Sequence, residues 1–274
     1  MEYRGIVKGL KGQGVSQRRS CELLGIARSS CRYEERPEVE DRTREEIRAL
    51  AREHKGYGSR ILCGLIRQSR VVNHKKVERI YQEEGLQLPR RTKRKRRYGV
   101  VDERPYPATR HNDVWSCDFV FDRDVMDQKL KFFTLVDEYT RESPAIRVGK
   151  RFTAQDVQNA LERAIREYGK PRYLRMDNGP EFISQELRQW LLEQGIQPVH
   201  TDPGSPWQNG FIESFNGKFR ATCLNMELFW GVEEAQWVVE KYRIEYNTIR
   251  PHMSLGYRTP AEARRICVSR PSMN

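Results

Sequence analysis

The sequence predicts an α/β protein in which small all-α units precede a mixed five-stranded sheet flanked by helices. Helical periodicity with glycine breaks dominates up to about residue 111, whereas strand-like and amphipathic helical segments alternate from about Val114 onward. The charge follows the same division: residues 1–111 hold 28 Lys and Arg against 15 Asp and Glu, and residues 112–274 hold 22 against 23.

Composition excludes several classes of protein. The 274 residues carry a net charge of +12 and a mean hydropathy of −0.83. No apolar stretch approaches the roughly 20 residues that cross a bilayer, and the N-terminus lacks a secretory signal, so we expect no membrane partner and a cytoplasmic location. Six scattered cysteines without a CxxC pair argue against a disulfide scaffold and a structural zinc site. The basic front half favours a polyanionic partner, with nucleic acid first.

Residues 1–40 have the rhythm of a helix-turn-helix. Ser16 is a suitable N-cap for a first helix that ends at Leu24, and Gly25 supplies the turn. The second helix then presents Arg28 and Arg32 outward. We expect this helix to read DNA, and a plain helical hairpin is the alternative.

Residues 41–89 form a second predicted helical unit that could also bind DNA, although helical packing alone would explain its apolar residues. Its helices are predicted to begin near Asp41, at Arg60 after a Ser59 cap, and near Asn73, with a Gly-Tyr-Gly break after the first.

Residues 90–111 are predicted to be a basic linker. Seven of the eight residues 90–97 are positive, which suits neutralisation of phosphates without sequence choice. A nuclear-import signal and a solubilising linker are alternatives. The candidate DNA contacts are Arg90, Arg91, Lys93, Arg94, Lys95, Arg96 and Arg97.

Residues 112–230 are predicted to form the α/β core, followed by a C-terminal helical extension over 231–274. Three strands in succession, then alternating helix and strand, indicate a mixed sheet with helices on its faces. The predicted strands are VWSCDFVF, LKFFTLVDEY, SPAIRVG, YLRMD and QPVHT, and the intervening helices span 153–168 and 184–194.

Three carboxylates from separate elements are the candidate chemical groups. Asp118 lies inside the first strand, on the face of Ser116 and Val120, and Asp177 follows an apolar strand at a tight Asn-Gly turn. Glu213 lies on a helix beginning near Gln208. Spacings of three, four and seven place Asn216, Gly217 and Arg220 on the same helical face as Glu213.

Gathered together, the three acids could hold two Mg²⁺ ions by oxygen ligation. Such a pair, about 3.5–4 Å apart, catalyses in-line displacement at phosphorus. Arg220 would then meet a phosphate. Spacing alone does not dismiss four rival acids, which are Asp122, Asp137, Glu138 and Glu181.

An ordered set of motifs gives the chain a family resemblance. The motifs are WSCD (115–118), VDEYTRE (136–142), DNGPEF (177–182), PGSPWQNGFIESFNGKFR (203–220) and YNTIRPHMSLGYRTPAEA (246–263). On these residues the chain resembles the integrase-core DDE transposases of bacterial insertion sequences, of the second-frame (orfB) type, which are relatives of retroviral integrases. Cys117 departs from the threonine that many relatives have before the first aspartate.

The resemblance implies an RNase H-like fold, a metal-binding triad of Asp118, Asp177 and Glu213, and a basic position at Arg220. It implies two Mg²⁺ ions, with Mn²⁺ as a substitute, and 3′-end cleavage followed by strand transfer. It also implies partners: the element's terminal inverted repeats and target DNA, further copies of the chain on that DNA, and the upstream-frame protein. The location it implies is the bacterial nucleoid.

Other residues leave alternatives open. Trp207, Gln208 and Asn209 could contact DNA bases or sugars, or could form a structural helix start. We expect Asn247 and His252 to be structural. Trp190, Trp230 and Trp237 are expected in the core or at an interface. The competing functions are an RNase H-like nuclease and a catalytically silent DNA-binding regulator.

Overall fold

The structure is a computed structural model that describes residues 2–32, 37–89, 105–202 and 206–269. The chain divides into two compact units, residues 1–49 and 50–274. The basic residues proposed from the sequence as linker contacts lie outside the described residues; they are Arg90, Arg91, Lys93, Arg94, Lys95, Arg96 and Arg97. Within the described ranges, no helix is both long and apolar enough to span a membrane.

The first unit is helical. It contains α1 (Glu2–Gly12), α2 (Gln17–Leu23), α3 (Arg28–Arg32) and the beginning of α4 (Pro37–Glu53). The predicted N-cap is confirmed, because the Ser16 hydroxyl accepts a hydrogen bond from the Arg19 amide at 3.3 Å. Gly25 adopts a left-handed φ of 63° at the predicted turn. Helix α1 was not predicted, since three glycines weaken its helical propensity.

The second unit contains, after the end of α4, a helical pair, α5 (Ser59–Ser69) and α6 (His74–Glu83), whose apolar faces are buried together. The predicted cap of α5 is wrong by one residue: Gly58 is the N-cap and Ser59 is the first helical residue. For α4, the predicted start near Asp41 is four residues late. Pro37 opens that helix because proline suits the first helical position.

The predicted mixed five-stranded sheet is confirmed. Its strands are β1 (Val114–Arg123), β2 (Lys129–Asp137), β3 (Ala145–Gly149), β4 (Tyr173–Met176) and β5 (Gln197–His200). They lie in the order β3-β2-β1-β4-β5. Strands β1, β2 and β3 pair antiparallel, whereas β4 runs parallel to β1 and to β5. This arrangement is RNase H-like.

Helices cover both faces of the sheet. On one face α7 (Ala154–Tyr168) and α8 (Gln185–Glu193) bury a core that includes Cys117. On the other face α9 (Gly210–Thr222) and α10 (Val232–Thr248) bury a core that includes Val120. The chain then continues into α11 (Pro260–Ser269). Because side chains alternate along a strand, Asp118 lies on the α9 side of the sheet, as its sequence position predicts.

A buried ion pair joins the three central strands. Arg175 on β4 and Glu138 after β2 are both fully buried, with Nε 2.8 Å from Oε1. The Ser116 hydroxyl of β1 donates to the same Oε1 atom. A second guanidinium nitrogen donates to the carbonyl oxygens of Pro105 and Tyr106, at 2.8 and 3.1 Å. The pair therefore fixes β4, and with it the residue that follows β4, against β1 and β2.

Arg175→Met should lower the free energy of unfolding by about 3–5 kcal/mol, because it leaves the Glu138 carboxylate buried and unpaired. Urea unfolding measures this loss. The matched control Arg172→Met changes an exposed residue three positions earlier and should stay within about 0.5 kcal/mol of the parent. Combining Arg175→Met with Glu138→Leu should recover most of the loss. An Arg175→Met protein as stable as the control would contradict this role.

Candidate active site

Asp118 lies in the middle strand of the sheet and is held by two hydrogen bonds. Its Oδ1 accepts from the Phe119 amide at 2.7 Å, and its Oδ2 accepts from Nδ2 of Asn216 on α9 at 2.8 Å. The Thr134 hydroxyl on β2 lies 2.9 Å from Oδ1 of Asn216 and 3.1 Å from the Asp118 carbonyl oxygen. One polar chain thus fixes the carboxylate of β1 relative to β2 and α9.

Asp177 follows β4 directly. The parallel register pairs Val114 with Tyr173 and Ser116 with Arg175, and two further steps along it bring Asp177 opposite Asp118. Neighbouring strands are about 4.8 Å apart, so the two acids lie close to each other near the middle of the sheet. The Asp177 Oδ1 accepts from the Gly179 amide at 3.0 Å. This bond holds the turn that follows the strand.

Glu213 approaches from the helix that covers this face. It lies in the first turn of α9, one helical turn before the Asn216 that contacts Asp118. Residues three apart on a helix are neighbours on its surface. The Glu213 side chain is exposed to solvent. A strand, a turn and a helix therefore each bring one acid to the same region.

The electrostatics of Asp118 reflect this gathering. The pKa of Asp118 is raised to about 6, first by burial and then by the charges of Asp177 and Glu213, against the lowering effect of the two hydrogen bonds. Burial, with Asp118 and Asp177 nearby, likewise raises the pKa of the Cys117 thiol well above its usual range. Negative charge therefore accumulates in this region of the sheet.

The donor set suits a hard divalent cation. Carboxylate oxygens are the ligands that Mg²⁺ prefers, and each has two lone pairs, so the existing hydrogen bonds leave room for coordination. Across the described residues, no group of three His, Cys, Asp or Glu side chains is already arranged closely enough to hold a metal ion. The carboxylate oxygens of the three acids suit a pair of divalent metal ions, but tight coordination of those ions requires the three side chains to move closer together.

The rival acids of this region have other partners. Asp137 accepts from the amides of Tyr139 and Thr140, and Glu138 pairs with the buried Arg175. Asp122 lies 3.7 Å from the Arg220 guanidinium, and Glu181 forms an ion pair with Lys131. These contacts give the four acids structural roles in turns, strands and loops.

The candidate DNA contacts differ in exposure. Arg28 and Arg32 are exposed on α3, and Trp207 is 45% exposed. Gln208 is buried, and both of its amide atoms bond to Asp202, at 2.8 and 2.9 Å. Asn209 is also buried. Of the two roles that the sequence left open for Gln208, the contacts therefore fit the structural one, at the start of the helix.

Arg220 lies two turns after Glu213 on α9. Its guanidinium donates to the Phe121 carbonyl oxygen at 2.6 Å and remains 43% exposed. The expected structural role of Asn247 is confirmed, because its side chain accepts from the Ser143 amide and donates to the Ser143 carbonyl oxygen. Trp230 and Trp237 are exposed and do not belong to the core.

Two supporting residues were missed by sequence reasoning. Thr134 contacts Asn216 only because β2 pairs with β1 in a particular register, which one sequence does not reveal. Arg175 reads as an ordinary charged residue in a short strand, yet it is fully buried. A charged residue between apolar neighbours in a central strand was the available signal, since burial of such a charge requires a partner.

Known protein families match both the helical N-terminal part of the chain and its α/β part. The integrase core domain family matches residues 108–206 and again 194–260, and the HTH-like domain family matches residues 38–97. The "Insertion element IS407 uncharacterized 31.7 kDa protein" of Burkholderia multivorans is 40% identical over 90% of each chain. The "Transposase for insertion sequence element IS904" of Lactococcus lactis is 27% identical over 80% of this chain and 91% of its own.

Among solved structures, the HTLV-2 integrase catalytic core domain in complex with magnesium is 20% identical, with a TM-score of 0.46. It covers 58% of this chain and 99% of its own. The identity and coverage of the Burkholderia relative, together with the two domain matches, show that the chain belongs to the family of insertion-sequence transposases with an HTH-like domain and an integrase core domain.

Proposed function

We propose that the chain is a DNA transposase that cleaves the 3′ ends of its insertion sequence and joins them to other DNA. In this proposal Asp118, Asp177 and Glu213 hold two Mg²⁺ ions, for which Mn²⁺ can substitute. One observation carries the proposal: a partly buried aspartate in the central strand has its pKa raised to about 6, with the charges of two acids from other elements among the causes. Family membership supports the same reaction.

The ions, when bound, supply the positive charge that activates an attacking oxygen and stabilises a leaving one. The protein supplies position. Asn216 orients the Asp118 carboxylate, and Thr134 orients Asn216. The Gly179 amide holds the Asp177 turn in the same way.

DNA contacts complete the proposal. The Arg220 guanidinium can exchange its exposed contact with Asp122 for a phosphate oxygen, since it is only partly buried. Trp207 offers an aromatic surface on which a base can stack, while Gln208, bonded to Asp202, anchors the short 3-10 helix that contains both residues. Arg28, Arg32 and the basic residues 90–97 would bind the backbone of the terminal inverted repeats.

We also propose how the chain is divided into domains and assembled on DNA. We assign residues 112–230 to the catalytic core, with the helical segments 1–40 and 41–89, the linker 90–111 and the extension 231–274 around it. Pairing two element ends and a target requires several protomers on DNA, and the upstream-frame protein is a further partner. The reaction would take place at the bacterial nucleoid.

Asp177→Asn should reduce joining of inverted-repeat DNA with Mg²⁺ by at least about 10³-fold, because it removes an anionic ligand of the ions. Gel separation of joined and cleaved strands measures this. The control Glu181→Gln changes an acid of the same loop that pairs with Lys131, and it should keep most of the activity.

The outcomes separate the competing functions. Equal joining by Asp177→Asn and the parent would refute the triad. Cleavage without joining or preference for ends would indicate a nuclease. Binding to the ends with no cleavage in Mg²⁺ or Mn²⁺ would indicate a silent regulator.

Asp118→Asn should stabilise the protein at pH 8 without divalent ions. The folded-state pKa of Asp118, about 6, exceeds its ordinary value of 3.8, so ionisation costs the folded state stability. That cost is absent below about pH 4, grows between about pH 4 and pH 6 and amounts to at most about 3 kcal/mol at higher pH. Urea unfolding at pH 5 and pH 8 measures the difference, which should widen with pH.

The exposed Asp127→Asn serves as the control and should show no such widening. Mg²⁺ at pH 8 should stabilise the parent and not Asp118→Asn. A parent and an Asp118→Asn protein with the same response to pH and to Mg²⁺ would contradict the cation site.

Replacing Arg28 and Arg32 together by glutamine should weaken binding to inverted-repeat DNA. Two lost phosphate contacts should reduce the slope of log K against log salt by about 1.8. Fluorescence anisotropy over a salt series measures the slope. The double change Lys8→Gln with Lys11→Gln, at exposed positions on α1, is the control and should leave it unaltered. Equal slopes for both pairs would remove α3 from the DNA interface.

A further inference from the structure

A second polar site lies on another side of α9. It is a cavity of about 410 Å³ between α9, the turn that follows α10, and Ile61 of α5. Three basic side chains line it, namely Arg141, Lys218 and Arg250, together with the imidazole of His252. Among the described residues that form its wall, none is Asp or Glu. The cavity is therefore cationic.

Two of these side chains are buried with unused hydrogen-bonding atoms. Arg250 is 8% exposed and His252 is 6% exposed. In the part of the chain that the structure describes, neither Nη1 of Arg250 nor Nε2 of His252 has a hydrogen-bond partner. Buried donors are normally satisfied, and an unpaired one costs about 1–3 kcal/mol or more when charged. Both residues line the cavity, so a ligand there would have these unused polar atoms close by.

Lys218 adds a positive charge close to those of the two arginines. Its ammonium donates to the carbonyl oxygen and the hydroxyl of Ser214, at 3.0 and 2.6 Å. Burial lowers the pKa of Lys218 to about 8, and the charges of Arg250 and Arg141 contribute to this lowering. Three like charges around one cavity repel each other, and an anion between them would relieve that repulsion.

The aromatic walls of the cavity strengthen charge pairing inside it. Phe215 and Tyr246 line the cavity, and the Arg141 guanidinium stacks on Phe211 with its Cζ 3.7 Å from the ring centroid. Apolar walls lower the local dielectric constant, which makes charge pairing stronger than at an open surface. Arg250 is likewise held over the Tyr57 ring, with its Cζ 4.5 Å from the centroid. The cations are therefore prearranged.

We propose that this cavity, which we call the α9 anion pocket, binds a phosphate group. Guanidinium groups and an ammonium around one concavity match the several oxygens of a phosphate, and burial demands charged hydrogen bonds. Residues 214 and 218 lie about 100° around the helix from 213 and 217, so the pocket and the acid site occupy adjacent sides of α9. The phosphate comes from the DNA backbone or from a free anion. Only the DNA source rests on the transposase proposal.

The test compares Lys218→Met with Lys241→Met in the full chain. The first change removes a pocket charge and keeps the apolar stem, and the second makes the same change at an exposed position on α10. One arm measures Tm while inorganic phosphate replaces chloride at constant ionic strength. At about five times its Kd, phosphate should raise the Tm of the parent and of Lys241→Met by about 2–4 °C, and that of Lys218→Met by less than half as much.

The other arm measures binding of a DNA duplex over a salt series. If the pocket holds a backbone phosphate, Lys218→Met should bind about tenfold more weakly and lose about 0.9 from the salt slope, while Lys241→Met matches the parent. Where Lys218→Met lowers the Tm in chloride alone, Lys218→Gln replaces it, because its amide can still donate to Ser214.

Each outcome decides the proposal. A difference between the two variants in the DNA arm supports the pocket and a backbone phosphate. A difference in the phosphate arm alone supports the pocket with a free anion as its ligand. Equal behaviour of both variants in both arms overturns the pocket. If the parent protein did not join DNA at all, the transposase proposal would be wrong, but the result of the phosphate arm would still stand.

Discussion

The candidate site is organised around one unfavourable interaction, the repulsion among carboxylates near the middle of the sheet. Asp118 is partly buried in the central strand, the charges of Asp177 and Glu213 act on it, and its pKa is raised to about 6. Proteins seldom tolerate such an arrangement without a compensating group. The surrounding hydrogen bonds and the rigid sheet hold the acids in place, which is what a site for divalent cations and a phosphate backbone requires.

The fold explains how distant parts of the sequence meet. Parallel pairing of β1 and β4 brings Asp177 beside Asp118, and the Arg175–Glu138 ion pair holds those strands in register. Helix α9 then contributes on two sides. One side carries Glu213 and the Asn216 that contacts Asp118, and the adjacent side carries Lys218 of the α9 anion pocket. DNA held at both sides would be fixed at two points.

Sequence reasoning recovered the features that depend on local pattern. Strand alternation placed Asp118 on its correct face, and the Ser16 cap and Gly25 turn were right because each acts within a few residues. It missed features that depend on register or on remote contacts. Thr134 reaches Asn216 across paired strands, and the α9 anion pocket combines side chains from residues 141 to 252. Helix α1 was missed for a different reason: tertiary packing outweighs the low helical propensity of its glycines.

The central claim is that the three acids hold divalent cations together. Isothermal titration of Mg²⁺ into the full chain at pH 8 tests it most directly, with Glu213→Gln and a control, Glu227→Gln, at an exposed position beyond the end of α9. The account predicts binding of two ions by the parent and by Glu227→Gln, and weakened binding with loss of at least one ion in Glu213→Gln. Identical titrations for all three proteins would contradict it.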